Sequence, residues 1–344
     1  MLSQLLQLRS YRSPVFREFL AGFFTAWKRL STMSTVLCNK MLTAKSPKTL
    51  NQALPEMPAD LRGKTRSIVD QIQSFGRVVV AFSGGVDSTL VAYLARLAVG
   101  NDALAVTADS PSLPSSELKE TKLLANFIGI RHMIVRTEEL DDPNYVSNPG
   151  NRCYFCKNEL SEKLIHLAKD LSVPVILDGT NAEDLTGHRP GAAALSERGI
   201  RRPLAEVGMS KAEVRELARL FGLPNYDKPS MPCLSSRIQY GQLITPERLL
   251  RVERSENLIR SMTGVKELRV RDHGNLARIE IGKDERNLFF DERLLDRIGA
   301  GLREFGFMYV TFDLLGYRSG SMNELLTAKM RSEKGSAKTT TAQS

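Results

Sequence analysis

Cysteine, histidine and tryptophan are scarce: the 344 residues contain four Cys, four His and one Trp. Cys38 lies in an unusual N-terminal stretch, leaving Cys153, Cys156 and Cys233. An odd number of thiols without a secretory signal argues against a disulfide framework. His132, His166, His188 and His273 show no ligand spacing, so a zinc site finds no fourth donor. No apolar run approaches the roughly 20 residues of a membrane span, and no membrane partner is expected. Two common phosphate-binding signatures, G-x-x-x-x-G-K-[ST] and G-x-G-x-x-G, are also missing. The chain has no internal repeat.

Acidic residues are nearly absent from the first 50 positions. That stretch has eight basic side chains (Arg9, Arg12, Arg17, Lys28, Arg29, Lys40, Lys45, Lys48) against Glu18 alone. Setting these aside from 48 basic and 39 acidic residues leaves 40 and 38, a net of +2. The overall charge of +9 therefore sits mostly in the leader. A nearly neutral remainder gives no electrostatic case for a nucleic-acid partner. Two readings of residues 1–57 stay open. Their Arg-, Ser- and Leu-rich composition suits an organelle transit peptide. The alternative is an extension without a folded role, with Met33, Met41 or Met57 as the start. The protein is accordingly expected in the cytoplasm, or in an organelle if the leader targets it.

What is present begins with Ser83-Gly84-Gly85-Val86-Asp87-Ser88, between the β-branched run Val78–Phe82 and an apolar stretch of helical period. This pattern predicts a buried strand, a tight turn and a helix beginning at Asp87-Ser88. Glycines let successive N–H groups converge, and the helix N-terminus adds positive potential, so the turn is an anion nest. It resembles the PP-loop of ATP pyrophosphatases, which split ATP into AMP and pyrophosphate. Further strands are expected at 103–107, 132–135 and 173–177, with helices at 115–128, capped by Ser115 or Ser116, and 156–171. Strands alternating with helices imply a doubly wound parallel α/β sheet with ligands at the strand carboxyl ends. Asp109 and Gly179-Thr180-Asn181 fall at such ends and join the loop as candidate nucleotide contacts.

A helix at 210–221 and the Pro-rich loop around Pro229 and Pro232 close this first domain, taken as 58–232. Thr245-Pro246 starts another helix. Beyond it the pattern predicts a smaller α+β domain, 233–326. Its strands fall at 265–271, 276–281 and 308–313, its second helix at 285–299, and its antiparallel turn at 272–275. Residues 327–344 are polar and expected to be disordered.

Cys153 and Cys156 form C-x-x-C at a helix start, where the dipole is expected to favour thiolate. Three thiols suit an iron–sulfur cluster with one iron free of protein ligand. Together the loop, the Asn151–Lys157 stretch, Leu177–Asn181 and Pro232-Cys233-Leu234-Ser235-Ser236-Arg237 resemble the LarE-type sulfur transferases. Arg269-Val270-Arg271, Glu280 and Gly316–Gly320 extend the likeness over about residues 62–326.

The resemblance implies ATP-driven adenylation of a carboxylate of pyridinium-3,5-biscarboxylic acid mononucleotide, then sulfur insertion for the nickel-pincer nucleotide cofactor. It implies ATP and Mg²⁺ at Ser83–Ser88, with Asp87 on the metal. It puts Arg237, Arg269, Arg271 and Arg318 on the substrate and Glu280 as a base for C–S cleavage. Cys233 matches the cysteine that one branch consumes. Another branch holds a [4Fe-4S] cluster on three cysteines, here Cys153, Cys156 and Cys233, and this chain has all three. A small-molecule nucleotide substrate, a homo-oligomer and a cysteine desulfurase or other sulfur donor are the expected partners. A tRNA-thiolating PP-loop enzyme, an amidating synthetase and a non-catalytic nucleotide module are the competing readings.

Overall fold

The computed structural model describes residues 37, 40–41, 46–185, 198–229, 231–318 and 320–323. The expected disordered tail, Cys38, His188, Ser319 and most of the leader lie outside them.

Four strands, β1 (Val78–Ala81), β2 (Ala103–Asp109), β3 (Arg131–Arg136) and β4 (Val175–Leu177), form a parallel sheet in the order β3-β2-β1-β4. Side-chain alternation explains its two-sided burial. Val78 and Val80 enter one apolar cluster, Val79 the other, and all three are fully buried. Helices α1 (Ala59–Phe75), α2 (Val86–Val99) and α5 (Lys211–Phe221) contribute to the first cluster; α4 (Arg152–Asp170) supplies Leu164 and Ala168 to the second. Helix α3 (Ser115–Ile128) follows β2. After β1 the chain runs outward to β2 and β3, then returns to place β4 on the other side of β1. The switch point thus lies between β1 and β4, where an open α/β sheet leaves its ligand crevice.

Residues before 58, set apart by composition, partly belong to the fold. Ala53 and Met57 are buried in the first cluster, Lys48 N–H donates to the Phe221 carbonyl, and Tyr93 Oη donates to the Lys48 carbonyl. The short helix Leu50–Ala53 lids the hydrophobic ends of α2 and α5.

The smaller unit pairs β5 (Leu268–Asp272) with β6 (Leu276–Ile281) in antiparallel fashion, as the turn at 272–275 predicts. β7 (Tyr309–Phe312) then pairs with β6 in parallel, a relation the turn chemistry could not reveal. Helix α6 (Pro246–Thr263) starts at Thr245, whose hydroxyl accepts from Arg248 N–H. The second helix starts late: residues 283–289 are 3₁₀ and Asp291 caps α7 (Glu292–Glu304), accepting from Leu294 N–H. The expected cap of α3 also shifts: Pro114, not a serine, precedes its first turn.

Candidate functional site

The Ser83–Ser88 loop joins β1 to α2, which begins at Val86 with Gly85 as its cap. Gly84 has φ +72°, and a Cβ there would meet Thr121 Cγ2 at 2.7 Å. Glycine is needed on both counts. Ser88 Oγ lies 3.0 Å from Ser83 Oγ, accepts from Ser83 N–H and donates to the Gly85 carbonyl, which closes the loop on itself. The N–H groups of Val86, Asp87 and Ser88 form the first turn of α2 and have no carbonyl four residues back within the helix. They are the donors of an anion nest.

Gly179 closes the crevice from β4. A Cβ on it would sit 2.7 Å from Ser88 N and 2.9 Å from Ser88 Cα, so the two backbones touch. Thr180 N–H donates to Asp178 Oδ1 at 2.8 Å, and Asn181 Nδ2 reaches Asp87 Oδ1 at 3.1 Å. Two expected elements therefore meet: the loop, through Asp87 and Ser88, and Gly179–Asn181. Asp109 lies exposed at the carboxyl end of β2, and its carbonyl accepts from Thr137 N–H. The second carboxylate oxygen of Asp87 is ion-paired to Lys211, the first residue of α5. No motif signalled that lysine.

The chain after Pro232 folds back onto the nucleotide domain. Leu234 N–H donates to the Ser112 carbonyl at 2.8 Å, and Tyr145 Oη lies 2.6 Å from Ser235 Oγ. Asn148 Nδ2 donates to the carbonyls of Gln239 and Gln242. Leu234, Ile238 and Ile244 share an apolar cluster with Tyr145, and Cys156 packs against it. Cys153, Cys156 and Cys233 are all free thiols, and Cys233 is near enough to bear on the ionisation of the other two.

The expected dipole effect loses at this helix start. Burial pushes the Cys153 and Cys156 thiols up, and the negative charge of a Cys233 thiolate adds to both. They are proton-bearing until a cation replaces the proton. Among the described residues no three His, Cys, Asp or Glu side chains gather as a single metal ion requires. That disfavours mononuclear zinc.

The expected substrate arginines divide. Arg237 is fully buried, with Nε and Nη2 on Glu256 and Nη1 on the carbonyls of Pro232 and Cys233. It fixes the Cys233 loop from inside, where substrate cannot reach it. Arg271 pairs with Glu280 at 2.7 Å and donates to the Ser236 carbonyl. Glu280, fully buried, also accepts from Arg278 and Ser321 Oγ, so both of its oxygens are occupied. Arg269 lies two residues from Arg271 on β5, its guanidinium 5.1 Å from the Tyr317 ring centroid. Burial, then the nearby charge of Arg237, brings Arg269 down to about 10 from 12.5. This crowding of positive charge favours an anion beside Arg269. Arg318 is half-buried near Asp313, 3.7 Å away.

The asparagine synthase family model matches residues 61–187, the nucleotide half. An uncharacterized protein of Synechocystis is 47% identical over 78% of this chain and 99% of its own length. The pyridinium-3,5-bisthiocarboxylic acid mononucleotide synthase of Lactiplantibacillus plantarum is 36% identical over 270 residues, 78% of this chain and 97% of its own. The chain belongs to the LarE family. It is an ATP-dependent PP-loop enzyme with an α/β nucleotide-hydrolase fold. A GMP synthase subunit of Methanococcus maripaludis matches only 43% of the chain. No helix among the described residues is long and apolar enough to cross a membrane.

Two residues of the site carried no sequence signal: Lys211 and Glu256. Each acts through a contact distant in sequence. The capping box Ser210–Glu213 predicts the start of α5 and hence a residue at the Lys211 position, but not its partner.

Proposed function

We propose that this LarE-family enzyme adenylates a carboxylate of pyridinium-3,5-biscarboxylic acid mononucleotide with ATP and converts it to the thiocarboxylate, for nickel-pincer nucleotide synthesis. The observation that carries the reading is the fold-back of the Cys233 loop onto Ser112 and Tyr145, beside the nucleotide crevice. A nucleotide-binding module alone has no use for that thiol there. Near-full-length similarity to the synthase of L. plantarum supplies the substrate.

A carboxylate is a poor electrophile. Attack of its oxygen on the α-phosphorus expels pyrophosphate into the loop N–H groups and leaves an acyl-adenylate. In this reading Asp87 holds Mg²⁺ on the phosphates, a hard ion suited to carboxylate oxygen; Lys211 and Asn181 contact that carboxylate. A sulfur nucleophile then attacks the acyl carbon and AMP leaves. Arg269 and Arg271, with Arg318 nearby, are the anion-binding side chains for the mononucleotide phosphate.

Two sources of sulfur fit Cys233. The presence of Cys153 and Cys156 favours a [4Fe-4S] cluster held by all three thiolates. When bound, such a cluster carries an extra sulfide for transfer, and a cysteine desulfurase or another donor replenishes it. In the sacrificial route Cys233 itself forms the thioester. Removal of its Cα proton then breaks Cβ–S and leaves dehydroalanine, and Glu280 serves as base.

Anaerobic protein incubated with ATP and the biscarboxylate should release AMP and pyrophosphate and yield a product with sulfur in place of oxygen. Release of ADP and phosphate would refute the reading. Iron and sulfide in the protein with the mass of Cys233 unchanged support the cluster route. A Cys233 that loses sulfur in iron-free protein supports the sacrificial one.

A further inference from the structure

Asn225 lies in the linker between α5 and the Cys233 loop, outside every recognised motif. Only 1% exposed, it donates both amide hydrogens: to the Gly84 carbonyl at 3.1 Å and to Thr89 Oγ1 at 2.9 Å. Its Oδ1 is buried without a hydrogen-bond partner. Leaving a buried carbonyl unsatisfied is costly, so this side chain is not arranged for stability alone. A side chain held at such a cost is a mark of function.

The peptide joining Gly84 to Gly85 is trans, as all the described peptides are. In a planar trans peptide the carbonyl and the following N–H point in opposite directions. Asn225 draws the Gly84 carbonyl inward, so the Gly85 N–H must face outward, toward the nest. That N–H reaches Ser83 Oγ at a long 3.4 Å. Gly84 alone would not hold this orientation, because a glycine-flanked peptide rotates freely.

We propose that Asn225 is a positioning residue that fixes the Gly84–Gly85 peptide so that the Gly85 N–H binds the pyrophosphate end of ATP. The inference rests on the ATP-cleaving reading of the loop and not on the sulfur chemistry. It also separates the two bonds of Asn225. The bond to Gly84 serves the anion; the bond to Thr89 serves the fold.

The test is calorimetric binding of Mg-pyrophosphate and, separately, AMP to the full chain. A hydrogen bond to a charged group is worth enough that Asn225→Leu should weaken pyrophosphate binding about tenfold or more. AMP lacks the β- and γ-phosphates, and its affinity should stay within about twofold. Thr89→Val removes the other partner and should leave both affinities unchanged. If the leucine variant does not fold, Asn225→Ser removes the same amide with a smaller side chain and should give the same split. Parallel weakening of AMP and pyrophosphate, or a Thr89→Val variant that reproduces the pyrophosphate loss, would reduce Asn225 to a packing role. Unchanged pyrophosphate affinity in the Asn225 variants would overturn the proposal directly. Wild-type protein that binds AMP but ignores pyrophosphate would overturn the nest itself, and the role of Asn225 with it.

Discussion

Replacing Arg237 by methionine separates two tasks that one guanidinium performs. Nε and Nη2 hold Glu256 at 2.9 and 3.2 Å, while Nη1 ties the carbonyls of Pro232 and Cys233. The two side chains are 0% and 4% exposed. Stranding a buried carboxylate costs roughly 3–5 kcal/mol. Arg260 stays on Glu256 at 3.2 Å, so the lower end, about 3 kcal/mol, is expected. The titration of Glu256 gives a similar size. Burial alone would raise its carboxyl, but Arg237 and Arg260 outweigh burial and bring it down to about 2 from 4.5. A difference of that size is worth about 3 kcal/mol. Because the folded value lies below the unfolded one, this stabilisation is complete above about pH 4.5 and is lost as pH falls toward 2. Urea denaturation at pH 7 should show the loss in Arg237→Met. Adding Glu256→Gln, which removes the stranded charge, should recover more than half of it. Sulfur transfer should stay impaired in the double variant, because the Pro232 and Cys233 carbonyls then lose their guanidinium donor. A single-variant cost below about 1 kcal/mol, or a double variant with restored turnover, would refute the argument.

Two further substitutions probe the crevice walls. Lys228 Nζ lies 2.7 Å from both Glu117 and Glu120, all three side chains at most 13% exposed. Lys228→Met leaves two buried carboxylates facing each other on α3, and thermal unfolding at pH 7 should show a loss of about 3 kcal/mol. An unchanged midpoint would mean that water reaches the pair. Gly179→Ala puts a methyl group 2.7 Å from backbone, which no rotamer relieves. It should destabilise by about 1–3 kcal/mol and cut pyrophosphate release at least about tenfold, as coupled phosphate assays would record. Full turnover would show that β4 and the loop are not in register during catalysis.

The parts of this site legible in the sequence are those built from local chemistry. Ser83–Ser88 announces itself because a β-branched run, two glycines and a helix start follow one another without interruption. Gly179–Asn181 and Asp109 follow from strand–helix alternation, which puts them at carboxyl ends whatever the remaining sequence. Contacts that cross the chain were not legible. Lys211 is 124 residues from Asp87 and Asn225 is 141 from Gly84, and no periodicity encodes such a meeting. Arg237 was misassigned for a related reason. An arginine beside a candidate nucleophile suggests an anion until Glu256, 19 residues on, proves to occupy its fork. The thiols failed differently. Sequence places Cys153 and Cys156 where a helix dipole lowers pKa, but it cannot show the Tyr145, Leu234 and Ile238 cluster against which Cys156 packs. Burial then outweighs the dipole and raises both thiols. A variant that loosens the loop at Arg237 should lose sulfur transfer, together with any iron that the protein binds, while ATP cleavage at the Ser83–Ser88 nest survives.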